Sequence, residues 1–502
     1  MNTSHSNEVN ASNNTKAAWK VLRYRDAPNN SILDDSNIPE NTVMVGDMLK
    51  LSFPQIENGH LVAQKVNDVV GVRFHVNKNE PDETDPKKMF ALSDTMWIIQ
   101  QEYSHYGGHA QWDMTYLLRH HNTGHYLALH ANDSERITMV QNRHNAMKIF
   151  LQRTSSKDHA DYVCAEKTIF MGSKHDDGHI QGWVCQENEK ALAVSFHNSE
   201  NFKHGASFIL EKVAEQLVVE AENALVLCEM LAKVASKLQV DVYAPETSWD
   251  LAHNDMRHLL SSCCDTCLRI LYFAFDRADL FGMMRRKYVD FVQRAFNWDV
   301  FITNTDNPLE ERQVLLREQG VFTHCFVALL AVGIGLGSVQ DQSYRTMLKA
   351  IGSVLYRVVK ICFRDHRQNE NYVAKLEVAV SSTKAKTTID IMIEDHLTFD
   401  IGAAGALSRL YDNNRGLLET QVNGTRLEKF YQMLYEHRAD RRLHPVFLGF
   451  FAAVCGTNTG AVQRNQVMVA KKLLLNNPPE SILLETIWIE RQAHALKSVL
   501  RF

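Results

Sequence analysis

The chain has 502 residues, 45% apolar and 23% charged, a make-up that suits a soluble globular protein of several domains. Its net charge of −5 excludes nucleic acid as the main partner, because neutralising phosphates takes a basic excess. Nine cysteines at irregular spacing give no disulfide framework, and no charged-then-apolar leader opens the chain, so a reducing, cytosolic setting is expected.

Residues 1–15 are almost entirely polar and cannot offset the entropy of ordering, so they are expected to be a disordered tail. From Trp19 to about Leu210 short alternating runs are separated by turns. Strands are expected over 18–24, 48–53, 69–76, 96–99, 137–140, 148–152, 169–171, 182–185, 191–196 and 206–210. Among them Tyr116–His130 reads as a β-hairpin, with apolar runs flanking a loop whose Asn122, Thr123 and Gly124 suit a tight turn. Its layout, an apolar strand, a polar loop ending in Gly-His and a second apolar strand, recurs from Val45 to Ala63 through Gly59-His60. A third copy begins at Tyr162-Val163-Cys164 and continues through Gly172. Three copies of about four strands each would close into a β-trefoil without exposed edges. The Pro-rich charged insert 78–88 is then a surface loop.

Near Val213 the period changes from two to three and four residues, the spacing of amphipathic helices. Helices are expected over 249–275, 283–298, 309–331, 343–363, 368–381, 398–410, 415–418, 427–437, 445–455, 465–475 and 479–500, with strands essentially finished. Short polar connections suggest stacked helical pairs of an armadillo-like kind. The longest apolar run, Phe326 to Val339, falls short of the roughly 20 residues of a membrane helix, so no span is expected. The domain limits are therefore a tail over 1–15, a β-trefoil over 16–212 and a helical domain over 213–502.

The hairpin has the form Arg119-His120-x-x-Thr123-Gly124-His125-Tyr126-Leu127-Ala128. In the helical half, Glu311-Arg312-Gln313-x-x-x-Arg317-Glu318-Gln319, Asn369-x-x-Tyr372-Val373-Ala374-Lys375, Asn413-Asn414-Arg415-x-Leu417-Leu418-Glu419 and Asn465-Gln466 follow in order, with Ile482 to Thr486 beyond them. This succession resembles the N-terminal region of the intracellular calcium-release channels, the inositol 1,4,5-trisphosphate and ryanodine receptors, with their MIR repeats and RIH helical domain. The upstream suppressor trefoil and the downstream channel of that family have no counterpart in the sequence. What remains is similar to the trisphosphate-binding core, where the ligand lodges in a cleft between trefoil and helical domain.

The resemblance implies an inositol phosphate ligand, calcium-release channel subunits or another protein as partner, no cofactor and a place on the cytosolic face of the endoplasmic reticulum; no catalysis is expected, because no Ser/His/Asp, Cys/His or carboxylate pair stands in a motif context. It carries three arginines over as ligand contacts: Arg73 in a trefoil loop, Arg317 and Arg367. Arginine forks suit phosphate oxygens. Other basic positions of the family are replaced: Phe74-His75-Val76-Asn77 follow Arg73, Glu310 and Val314 stand beside Arg317, and His366 and Gln368 flank Arg367. Each lost charge-assisted bond removes about 1.5–3 kcal/mol unless Lys78, Arg312, Arg364 or Lys375 compensates. The competing expectation is an armadillo-like interaction scaffold with a vestigial pocket. A lumenal protein using its trefoil on glycans is a third class, disfavoured by the helical motifs.

Three other clusters have plainer readings. Cys263, Cys264 and Cys267 with His258 lie on one apolar helix without a second matched pair and read as core rather than zinc ligands. Gly333-x-Gly335-x-Gly337 follows a helix rather than a strand, and reads as a flexible helix end rather than a phosphate loop. His120, His121, His125 and His130 alternate along strands and point to different faces.

Overall fold

The computed structural model describes residues 39, 41–54, 59–66, 69–76, 92–101, 108–112, 114–130, 133–154, 162–175, 177–186, 194–197, 206–243, 249–276, 307–381, 384–436 and 443–472. The tail over 1–15, the strand expected over 18–24, the insert 78–88 and the helices expected over 283–298 and 479–500 lie outside them. The chain divides into two compact units at Val219 and Glu220.

Among the described residues the first unit is built on twelve strands: β1 (Met48–Phe53), β2 (Gly59–Val66), β3 (Val69–Val76), β4 (Trp97–Gln101), β5 (Thr115–His120), β6 (Tyr126–His130), β7 (Asp133–Val140), β8 (Ile149–Arg153), β9 (Thr168–Lys174), β10 (Ile180–Gln186), β11 (Val194–His197) and β12 (Ser207–Lys212). Their antiparallel pairings close on themselves in a circuit of nine strands, β1-β4-β5-β6-β7-β11-β10-β9-β12. β8 pairs with both β5 and β9 across that circuit, leaving an inner ring of six, β1-β4-β5-β8-β9-β12. The pairs β2–β3, β6–β7 and β10–β11 stand outside the six.

The backbone carries an internal threefold. Val43 N donates to Val163 O at 2.8 Å, Val163 N to Ala110 O at 2.8 Å and Ala110 N to Val43 O at 2.7 Å, one residue from each copy. All three are fully buried and join one core with Phe53, Phe74, Trp97, Tyr116, Ile149 and Phe208. Each copy has a Gly-His pair at its first hairpin. Gly59-His60 and Gly124-His125 are joined by Gly178-His179, a third instance concealed in the sequence by its Asp-rich turn. Gly124 and Gly178 have φ of +69° and +87°, the left-handed region that glycine enters without a Cβ penalty.

The second unit holds α1 (Glu215–Tyr243) from Glu220 onward, then α2 (Trp249–Phe275), α3 (Glu310–Glu318), α4 (Val321–Ser338), α5 (Gln342–Phe363), α6 (Arg367–Lys375), α7 (Ala403–Tyr411), α8 (Arg415–Thr420), α9 (Gly424–Glu436), α10 (Leu443–Cys455) and α11 (Gln463–Ala470). α5 lies against α2, α4 and α7, and α10 against α7, α9 and α11. α4 is long and apolar enough to cross a membrane by composition, but two thirds of it (67%) is buried, the state of a core helix.

Three expectations are corrected. The helix expected over 309–331 is two, because Gly320 turns left-handed at φ +84° between α3 and α4. The segment expected as helix to 381 ends at Lys375 and continues as a hairpin, β13 (Glu377–Ser381) with β14 (Lys384–Thr387), so strands do not stop at Leu210. Val378 is the buried side chain of that hairpin, and β-branched residues fit a pleated surface. The glycines 333, 335 and 337 lie inside α4, not beyond its end. A Cβ on Gly333 would sit 2.7 Å from His396 Nε2, so this glycine admits the π-helical turn Ile391–His396.

Candidate functional site

Arg73 is an exposed residue of β3, within an eight-residue register with β2 that opposes it to Val62. The segment is therefore strand rather than loop, and alternation explains it. Val70 and Phe74 point inward, and Phe74 stacks on Phe53 at 4.5 Å between centroids. The position after Arg73 is thus a core aromatic. Asn77 and Lys78 lie outside the described residues.

Arg317 and Arg367 belong to the helical unit, on α3 and at the start of α6. Arg317 is 5% exposed, and its Nη1 donates to Asn369 Oδ1 at 2.8 Å and to Gln368 Oε1 at 3.4 Å. Its Nη2 stands 3.8 Å from Glu318 Oε1. Burial lowers its pKa, opposed by the charge of Glu318. Arg367 is about half exposed, and its Nη1 donates to Glu370 Oε2 at 2.7 Å while Nη2 donates to Asn413 O at 2.9 Å. The two arginines lie on different helices, which Arg317 itself ties together through Gln368 and Asn369, and each has partners inside the unit.

A frame of buried polar side chains holds them there. Gln313 Nε2 donates to the carbonyls of Ile361 (2.8 Å) and Arg364 (3.0 Å), closing the C-terminal end of α5. Asn369 Nδ2 donates to Gln313 O (3.1 Å) and Cys362 O (2.7 Å). Asn414 Nδ2 donates to Glu370 Oε2 at 2.9 Å while its Oδ1 accepts from Leu417 N at 3.2 Å, capping α8. Asn465 Nδ2 reaches Leu418 O at 2.9 Å and Val454 O at 3.0 Å. The short motifs of the helical half are thus helix-end ties, a role sequence reasoning missed because nothing in an Asn or Gln announces its burial.

The replaced positions have roles of their own. His366 is buried, accepts from Asn369 N on Nδ1 at 3.2 Å and sets Nε2 3.9 Å from Glu310 Oε1. Burial, with Arg317 beside it, lowers its pKa, so the ring is neutral near pH 7. Glu370 is the counter-case: burial outweighs Arg367 and Asn414 and pushes its carboxyl up to about 7. Arg312 is committed to Glu220 Oε1 (3.1 Å), Asp276 Oδ1 (2.9 Å) and Phe273 O (2.9 Å), and stacks 5.0 Å over the Phe273 ring.

Cys263, Cys264 and Cys267 are fully buried in α2, with Cys263 and Cys267 sulfurs 3.9 Å apart. Burial pushes the Cys264 thiol well up, and the hydrogen bond with the Cys263 thiol, ahead of burial, does the same to Cys267, the reverse of what a metal-binding thiolate needs. His258 is exposed, and among the described residues no group of His, Cys, Asp and Glu could hold a metal. In the β unit, His120 is fully buried between Thr123 Oγ1 (3.0 Å) and Asp94 O (3.1 Å), and burial brings its pKa down to about 3.

Comparison with protein families finds two matches, the MIR domain over residues 75–177 and the RIH domain over residues 294–488. The first falls in the β unit and the second in the helical unit, the order of the receptor N-terminal core and of its cytosolic regulatory region. By these two domains the chain belongs to the family of the inositol 1,4,5-trisphosphate and ryanodine receptors.

Proposed function

We propose that this chain is a non-enzymatic, cytosolic regulatory module of calcium signalling that binds an inositol phosphate through Arg73, Arg317 and Arg367. In this reading residues 16–212 are a β-trefoil and 213–502 an armadillo-like helical domain. The six-strand ring, three outer hairpins and threefold backbone triad support the first. Helix pairs tied end to end by Gln313, Asn369, Asn414 and Asn465 support the second. The observation that carries the functional reading is that Arg317 on α3 is hydrogen-bonded to Gln368 and Asn369, the two residues that follow Arg367 on α6. Arg317, bonded inward to Asn369, would act on a ligand mainly through its field, while exposed Arg73 and half-exposed Arg367 would make direct contacts. An anion that binds one arrangement of the module better than another shifts its population by that difference.

A second reading, an interaction scaffold for a channel subunit or other protein, draws on a specific observation. Glu310 presents an 85% exposed carboxylate beside His366, where the family pattern has a basic residue. Titration calorimetry of the full chain with inositol 1,4,5-trisphosphate, at low and physiological salt, separates the two. The ligand reading expects micromolar or tighter binding that weakens with salt and is lost in R73A and R367A. No heat at millimolar ligand retires it and leaves the scaffold.

A further inference from the structure

The β unit contains a cleft of about 400 Å³, within the roughly 300–1,000 Å³ of small-molecule sites, and neither Arg73 nor any residue of the helical unit lines it. Its wall is the segment from Arg143 to Lys148, facing Lys174 and His175 at the end of β9. Three permanent cations, Arg143, Lys148 and Lys174, converge there, with His144 and His175 on the rim, and no carboxylate is among the described lining residues. In a chain of net charge −5 this is a local inversion of sign. The floor is apolar, from Leu117, Leu129 and Met147, and Ser173 and Gln181 supply neutral polar atoms.

The cleft is preorganised. Met147 N donates to Leu127 O at 2.8 Å and Lys174 N to Lys148 O at 3.3 Å, fixing the wall to β6 and β9. Asn142 Oδ1 accepts from His144 N at 3.0 Å, holding the turn that carries Arg143. Arg143 donates from Nη2 to the Gln101 carbonyl, which anchors one edge of its fork. Its Nε is buried and has no hydrogen-bond partner among the described residues, an orphan donor in a cation-lined cleft. Lys174 Nζ lies 4.7 Å over the Phe150 ring, which fixes its ammonium group at the cleft.

We propose that this cleft is a binding site for a small multivalent phosphate compound, seated on Arg143, Lys148 and Lys174. Arginine offers the planar fork that pairs with phosphate oxygens and the lysines act as point charges, while the apolar floor takes a carbon skeleton of sugar size. The shared chemistry is a clustered phosphate group, free in solution or on a lipid headgroup. This goes beyond the function proposed above, whose arginines lie elsewhere in the chain.

The test is full-chain calorimetry with inorganic tripolyphosphate, and flotation with phosphatidylcholine vesicles with and without a phosphoinositide. A K148Q/K174Q double variant and H144E, which reverses charge on an exposed rim residue, are compared with R73A and R367A. Salt-sensitive binding that weakens about tenfold or more in both cleft variants and is unchanged in R73A and R367A supports the site. A response to tripolyphosphate assigns a soluble ligand, and a response to phosphoinositide vesicles alone assigns a headgroup. Binding that is equal in H144E and wild type, or absent for both probes at millimolar phosphate, overturns it. H144E keeps the test decisive if the double variant does not fold.

Discussion

Arg317 Nη1 donates to Asn369 Oδ1 at 2.8 Å across 52 residues of chain, and both side chains are buried. The Nδ2 of the same Asn369 ties α3 to α5 through Gln313 O and Cys362 O, so one Asn joins three helices. Deleting one partner leaves the other buried and unsatisfied. R317A should therefore lose about 2–4 kcal/mol in urea unfolding, and N369A a similar amount. A double-mutant cycle should return about 1–3 kcal/mol of coupling, since the two losses are one network. A loss for R317A within about 0.5 kcal/mol would contradict this, that being the ordinary surface value.

Arg312 makes a narrower prediction. Its fork serves Glu220, Asp276 and the Phe273 carbonyl while its plane stacks on Phe273. Lysine carries the charge but neither the fork nor the plane. R312K should destabilise the fold by about 1–2 kcal/mol, nearly as much as R312A, measured by thermal or urea unfolding. Full retention in R312K would mean that charge alone matters there.

In the β unit the sharpest test is steric. A Cβ on Gly182 would come within 2.7 Å of Phe196 and press on the His197 carbonyl of β11, and one on Gly172 would come within 2.7 Å of Phe150. Gly71 on β3 has nothing within 4 Å of its virtual Cβ. G182A and G172A should each cost about 1–3 kcal/mol, while G71A stays within about 0.5 kcal/mol of wild type. Equal effects at all three positions would argue against the β9–β10–β11 packing described.

Much of this was legible from residue order. The hairpin 116–130, the change of period near Val213 and the helix over 249–275 are local patterns, and local pattern survives in the sequence. The break at Gly320 was not, because Val321, Phe322 and Cys325 continue the three-and-four spacing of Leu315 and Leu316 across a turn only one backbone angle reveals. The hairpin at 377–387 is too short to assert a period of two. Arg317 and Arg367 were readable as cations, but their partners Asn369, Glu370 and Asn413 are set by tertiary contact. The cleft of Arg143, Lys148 and Lys174 was invisible for the same reason, since strand pairing, not spacing, brings residue 174 to residue 148.

Proton linkage gives the last prediction, and its signs oppose one another. His120 and His396 are held neutral by burial, with pKa values brought down to about 3 and about 4 from 6.5. Each contributes stability that is present above pH 6.5 and lost as pH falls toward its folded value, at about 1.4 kcal/mol per pH unit. Glu370 works the other way. Its folded carboxyl, raised from 4.5 to about 7, takes up a proton before the unfolded chain does, so it favours folding as pH falls between those values. It therefore offsets about one histidine's loss on the acid side. E370Q removes that uptake while keeping an acceptor for Asn414, and stability should then fall more steeply between pH 7 and 4.5, by about 1.4 kcal/mol per unit. Urea unfolding of both proteins at several pH values in that window measures the difference in slope. Identical slopes would mean that Arg367, 2.7 Å away, keeps Glu370 ionised throughout and that burial does not prevail.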